Sequence, residues 1–141
     1  EPADATAGEE VVAAIHTADL VVLGPGSLFT SVLPNLLVSG VAAALARSSA
    51  RVALVANLRE QAGETQGMSL RDHLLALRRH VPDVRIEVCV ANDGPVSAAH
   101  AHPLRGIGLA DLVGHVVTAP LDDGNDGHDP AVLARVFATL L

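Results

Sequence analysis

The apolar run Leu20-Val-Val-Leu23 stops at Gly24-Pro25-Gly26, and Ser27, Leu28, Thr30 and Ser31 follow within a few residues. Glycine permits positive φ and close backbone approach to a ligand, and the hydroxyls add donors. If the loop opens a helix, its first amides have no intrahelical partner and lie at the positive end of the helix dipole. Such groups seat a phosphate or a carboxylate. The same residues also make a plain strand-to-helix turn, with Thr30 or Ser31 as the cap. The loop has no Gly-Lys-Ser/Thr ending, and all nine basic side chains are arginine. It also lacks the G-x-G-x-x-G spacing, so an ATPase or a conventional NAD dehydrogenase is disfavoured.

A second polar group runs through Asn57, Arg59, Gly63, Glu64 and Thr65 to Asp72 and His73. Amide and carboxylate groups offer complementary partners for the hydroxyls of a ribose or another sugar. Arg59 is the nearest cation for a diphosphate held at the first loop. The alternative is an ordered loop that satisfies its own backbone. Ser69-x-x-Asp72 fits a capping box, which gives Asp72 a helix-capping role. His73, some 100° further round the helix, reads as a general acid/base, a sugar contact or a surface histidine.

Other patterns point away from chemistry, and no metal site is expected from them. His100-x-His102 has no cysteine or carboxylate beside it. Asp122-Asp-Gly-Asn-Asp126-Gly127 departs from the calcium-loop pattern, with Gly124 at the third position and Leu133 at the twelfth. It reads as a solvated acidic loop ahead of a helix. No serine sits in G-x-S-x-G, and Cys89 lies in an apolar run as a small core residue.

These residues need elements to hold them. Half of the 141 residues are hydrophobic, enough for one domain with a core. Leu20–Leu23, Arg51–Ala56 and Arg85–Ala91 read as strands, with His115–Ala119 as a candidate fourth. The alternation around Glu87 suggests a less buried place for the third. Helices are expected over Glu9–Ala18, after the glycine loop with a bend or break at Ser39-Gly40, from Ser69 onward, and after Asp129-Pro130. Strand and helix alternate, which predicts a Rossmann-like, three-layer α/β fold with a mainly parallel sheet. Ligands of such sheets bind at the carboxyl ends of the strands.

A net charge of −7 disfavours nucleic acid as a partner. The apolar runs are too short to span a bilayer, so a cytoplasmic protein without membrane contact is the expectation. Two phenylalanines are the only aromatic residues, which leaves little for stacking a base.

The block from Ala18 to Val38 resembles the second glycine loop of the YvcK-type gluconeogenesis factors in the CofD-like superfamily. Asn57-x-x-x-Gln61-x-Gly63-Glu64-Thr65-x-Gly67, followed by Asp72-His73, resembles that family's second motif. Order and spacing agree. The resemblance covers the C-terminal part of the family, so a sheet incomplete at its N-terminal side is expected. It implies a Rossmann-like fold, binding of nucleotide sugars of the UDP-N-acetylglucosamine kind, and a role in cell shape on gluconeogenic carbon sources. The partner it implies is a nucleotide sugar or nucleotide diphosphate, with homo-oligomerisation also open. The related CofD branch transfers phospholactate in coenzyme F420 synthesis. That reading would call for Mg2+, held by Glu64, Asp72 or Asp93. Gly24-Pro25-Gly26-Ser27 sides with the YvcK branch, which makes a non-catalytic binding factor the leading expectation. Two departures bear on nucleotide-sugar affinity: no tyrosine follows the third strand, and Gly127 replaces the arginine usual before His128-Asp129.

Overall fold

Four parallel strands lie side by side in chain order in the computed structural model, which describes residues 5–97 and 102–141. They are β1 (Leu20–Leu23), β2 (Arg51–Val55), β3 (Val88–Asn92) and β4 (His115–Ala119). The helices are α1 (Glu9–Thr17), α2 (Leu33–Leu37), α3 (Val41–Arg47), α4 (Leu70–His80) and α5 (Pro130–Ala138). A π-helical turn, Leu28–Val32, leads from the glycine loop into α2.

Successive strand residues face opposite sides of the sheet, and this alternation separates two cores. Val52, Leu54, Cys89 and Ala91 pack with Leu33 and Leu36 of α2, Leu45 of α3, and Leu70, Leu74 and Leu77 of α4. Leu104, Leu109 and Val113, between β3 and β4, join this face. Ala53, Val55, Val88 and Val90 face the other way, against Val132 and Val136 of α5 and against Leu140. Helices therefore cover both faces, the three-layer arrangement expected from the sequence.

Local signals account for most boundaries. Ser69 and Asp72 form the predicted reciprocal capping box at α4. Asp129 accepts from the amides of Ala131 at 2.8 Å and Val132 at 3.1 Å, and Pro130 opens α5. The break between α2 and α3 falls at Gly40, whose φ of 95° a helix cannot hold.

The third strand needs correction. It begins at Val88, after Glu87, and all five residues are buried between β2 and β4. The alternation came from Arg85 and Glu87, which lie before the paired segment. The paired residues Val-Cys-Val-Ala form a continuous apolar run, as the interior of a parallel sheet requires. Glu87 turns sideways, and its carboxylate accepts the Val52 amide at 3.0 Å.

The outer strands are β1 and β4. Among the described residues nothing pairs with the free edge of β1, and Val22 is exposed there. No described helix is long and apolar enough to cross a membrane. His100 of the His100-x-His102 pair lies outside the described residues, and His102 is exposed.

Candidate functional site

Parallel strands bring the loops after β1, β2 and β3 to one edge of the sheet. Gly24 leaves β1 with φ 77°, and a Cβ there would lie 3.0 Å from the Val55 carbonyl oxygen of β2. Both facts demand glycine. The Gly24–Pro25 peptide is cis. Gly26 does not share the positive φ. Its Cβ would instead meet the Ser31 Cβ at 3.3 Å, a close but smaller conflict.

Ser27 caps the helix that follows, not Thr30 or Ser31. Its Oγ accepts the Thr30 amide at 3.2 Å, and its carbonyl accepts from Ser31 and Val32. The helix starts earlier than expected, with a π-wound first turn at Leu28–Val32, so Thr30 and Ser31 already sit within it, exposed.

The anion seat inferred for this loop holds a side chain of the protein. Ser27 Oγ lies 2.5 and 2.6 Å from the two Glu64 carboxylate oxygens, and the Phe29 amide donates to Oε1 at 2.8 Å. The Ser27 hydroxyl, followed by the Phe29 and Thr30 amides, holds the Glu64 carboxyl below its ordinary 4.5. Among the described residues, no protein acceptor meets the Ser27 or Leu28 amide.

Asn57, directly after β2, braces the loop. Its Oδ1 accepts the Gly26 amide at 3.1 Å, while Nδ2 donates to Gln61 at 3.0 Å. Thr65 is fully buried, and its hydroxyl accepts the Gln61 amide at 2.9 Å. It shapes the turn that carries Glu64 and does not face solvent. Gly63, beside it, has φ 77° and open space around it.

A cleft of about 290 Å³ opens beside the loop, lined by Pro25, Gly26, Ser27, Asn57, Arg59, Gln61, Asp126 and His128 among others. Arg59 and Asp126 form an ion pair across it. His128 Nε2 donates to the Ala56 carbonyl at 3.0 Å and closes one wall. A larger groove of about 450 Å³ runs along Leu74, Leu77, Ile86 and Leu112 on one face of the sheet. Its lining is mainly core residues; Pro25, Gly26 and Ser27 of the loop line the smaller cleft, and Gly24 and Ser31 line a separate cavity of about 210 Å³.

The family model for CofD, described as 2-phospho-L-lactate transferase, matches residues 1–106. The chain belongs to the CofD family. A Deinococcus radiodurans protein named "Putative gluconeogenesis factor" is 41% identical over 99% of this chain and 32% of its own length. A Halalkalibacterium halodurans protein named "Gluconeogenesis factor" is 42% identical over 68% of this chain and 30% of its own. A crystal structure of a UPF0052 family member from Bacillus halodurans superposes with a TM-score of 0.86 at 30% identity. It is covered over 99% of this chain and 47% of its own. The chain thus spans about a third to a half of the length of these relatives.

Within this CofD-family fold, one motif residue takes its expected role and another departs from it. Asp72 serves α4: its Oδ2 accepts the Ser69 amide at 2.8 Å and the Ser69 hydroxyl at 2.6 Å. The same two contacts hold its carboxyl below 3.8. His73, expected at the surface, is 5% exposed. Positions 70, 73, 74 and 77 form one helical face, a spacing that could have placed it there. Its Nδ1–H donates to the Ser69 carbonyl at 2.8 Å, and Nε2 is buried without a partner among the described residues.

The residues offered for Mg2+ do not come together. Glu64 is at the loop, Asp72 in its capping box and Asp93 beyond β3. Among the described residues no three metal-ligating side chains converge. Cys89, fully buried, has its thiol pushed up to about 12 by desolvation, which removes it as a nucleophile. Leu58, Gln61, Asp126 and His128 are the cleft residues that the sequence reading did not select. Asp126 lies 67 positions from Arg59, and no local pattern announces the pairing.

Proposed function

We propose that the chain supplies the glycine-loop half of a nucleotide-sugar site in a gluconeogenesis factor that acts in cell shape under gluconeogenic growth. The observation that carries this reading is the loop beside the cleft: Ser27 and Leu28 amides with no protein acceptor among the described residues, and Asn57, Arg59 and Gln61 alongside. A diphosphate on those amides with Arg59 as counter-charge satisfies both partners. The Glu64 carboxylate and the Gln61 amide then offer an acceptor and a donor to sugar hydroxyls. The names of the relatives support the gluconeogenesis-factor part of this role.

The test is calorimetric titration of UDP-N-acetylglucosamine into the full-length protein. A charge-assisted contact contributes about 1.5–3 kcal/mol, so Arg59→Gln should weaken binding by at least roughly ten-fold. Gly26→Val should do as much, because its side chain strikes Ser31 and distorts the loop. Unchanged affinity in folded Gly26→Val protein removes the loop from the site.

A second reading, phospholactate transfer, has the description of the matching family model behind it. It calls for phospholactate turnover by the same protein. Phosphoryl-type transfer depends mainly on positioning and charge neutralisation, which the loop and Arg59 would share.

A further inference from the structure

Two internal carboxylates stand against the groups that would meet an anion, Asp126 in the lining of the cleft and Glu64 on the loop beside it. Glu64 sits on Ser27 and Phe29, and Asp126 sits on Arg59. They are anchored differently. Glu64 is bound by two donors, the Ser27 hydroxyl and the Phe29 amide, and shapes the loop. Asp126 is 66% exposed, and Arg59 is its only side-chain partner among the described residues.

The turn that carries Asp126 keeps its form without that carboxylate. Asp123 Oδ1 accepts the amides of Asn125 at 2.7 Å and Gly127 at 3.0 Å. Asp122 and His128 bridge the base of the turn. Asp126 itself has φ 73°. Glycine aside, Asp and Asn are the residues that tolerate this conformation best. The turn therefore sets one removable anion against the one arginine that lines the cleft among the described residues.

We propose that Asp126 is a specificity residue of the cleft. It covers Arg59 so that only an anion stronger than a carboxylate, such as a diphosphate, displaces it. The proposal rests on the anion-site reading above. Carboxylate and phosphate compete for the same guanidinium fork, and the phosphate carries more charge. Exposed ion pairs are weak, so the exchange is available to a diphosphate. A neutral or singly charged ligand gains nothing from it.

The experiment compares UDP with uridine by calorimetry, using full-length wild type, Asp126→Asn, Arg59→Gln and the double variant at low and high salt. Asparagine keeps the turn conformation and removes the charge. Asp126→Asn should bind UDP roughly two- to five-fold more tightly at low salt, with uridine unchanged. The gain should shrink in high salt and vanish in the Arg59→Gln background, where nothing is left to uncover. Wild type that binds UDP, with no gain in Asp126→Asn, overturns the proposal while the anion-site reading stands. An equal gain without Arg59 also overturns it, since the effect would then be the general field of one charge. If neither wild type nor Asp126→Asn takes up UDP at millimolar concentration, the cleft is not an anion site and both readings fail.

Discussion

Two serine caps in this protein use the same chemistry at different range. At α4, Ser69 accepts the Asp72 amide, and Asp72, three residues on, returns a carboxylate to the Ser69 amide. At the glycine loop, Ser27 accepts the Thr30 amide, but the carboxylate comes from Glu64, 37 positions away. The first device closes within one helical turn and ends only α4. The second ties the loop after β1 to the loop after β2 and fixes the mouth of a cleft. A local cap is a helix signal; a cap delivered across the sheet builds a site.

The largest expected effect tests whether the loop's shape underlies that difference. Gly24→Val puts a branched side chain at φ 77° and against the Val55 carbonyl. It should destabilise the protein by roughly 2–4 kcal/mol in urea unfolding. A change near zero would mean that the loop relaxes freely and does not hold Glu64 in place.

Removing each cap comes next. Glu64→Ala deletes two charge-assisted contacts and should cost about 1.5–2 kcal/mol. Ser69→Ala should cost about 1 kcal/mol, as a single N-cap does. Hydrogen exchange separates them further. Ser69→Ala should loosen amides in the first turn of α4, and Glu64→Ala those of the π turn and of the Gln61–Met68 segment. Loosening confined to α4 in both variants would erase the distinction.

The smallest effect is in pH. Both carboxyls are held below their ordinary values, 4.5 for Glu64 and 3.8 for Asp72. A depressed carboxyl contributes stability that is fully present above the unfolded value and lost as the pH falls through the folded one. Acid titration of stability should therefore show loss tied to Glu64 starting near pH 4.5 and loss tied to Asp72 starting nearer 3.8. Glu64→Gln should flatten the first and Asp72→Asn the second. The same acid profile in Glu64→Gln as in wild type would show that the loop carboxylate is not tied down in the folded protein.

What the residues alone disclosed was local. The apolar runs at Leu20, Arg51 and His115 are strands, Ser69 and Asp129 are caps, and Gly24 and Gly40 sit where the backbone turns against the L-residue preference. Each depends on neighbours within about one helical turn, so spacing suffices to find it. The central place of β3 was hidden because the flanking Arg85 and Glu87 imitate a half-exposed strand, and only pairing with β2 and β4 shows where it starts. The burial of His73 was half legible: its spacing from Leu70, Leu74 and Leu77 puts it on the inner face, but histidine side chains there read as polar.

The sequence by itself determined the α/β layering, the parallel strands and the glycine loop at their carboxyl ends. Tertiary structure alone decided that Glu64 fills the loop's anion seat and that Asp126 covers Arg59. Those partners are 37 and 67 positions apart. Hydrophobic periodicity fixes which face of an element is buried, but not which polar side chains meet when the loops at its ends converge. Packing of the whole sheet sets that.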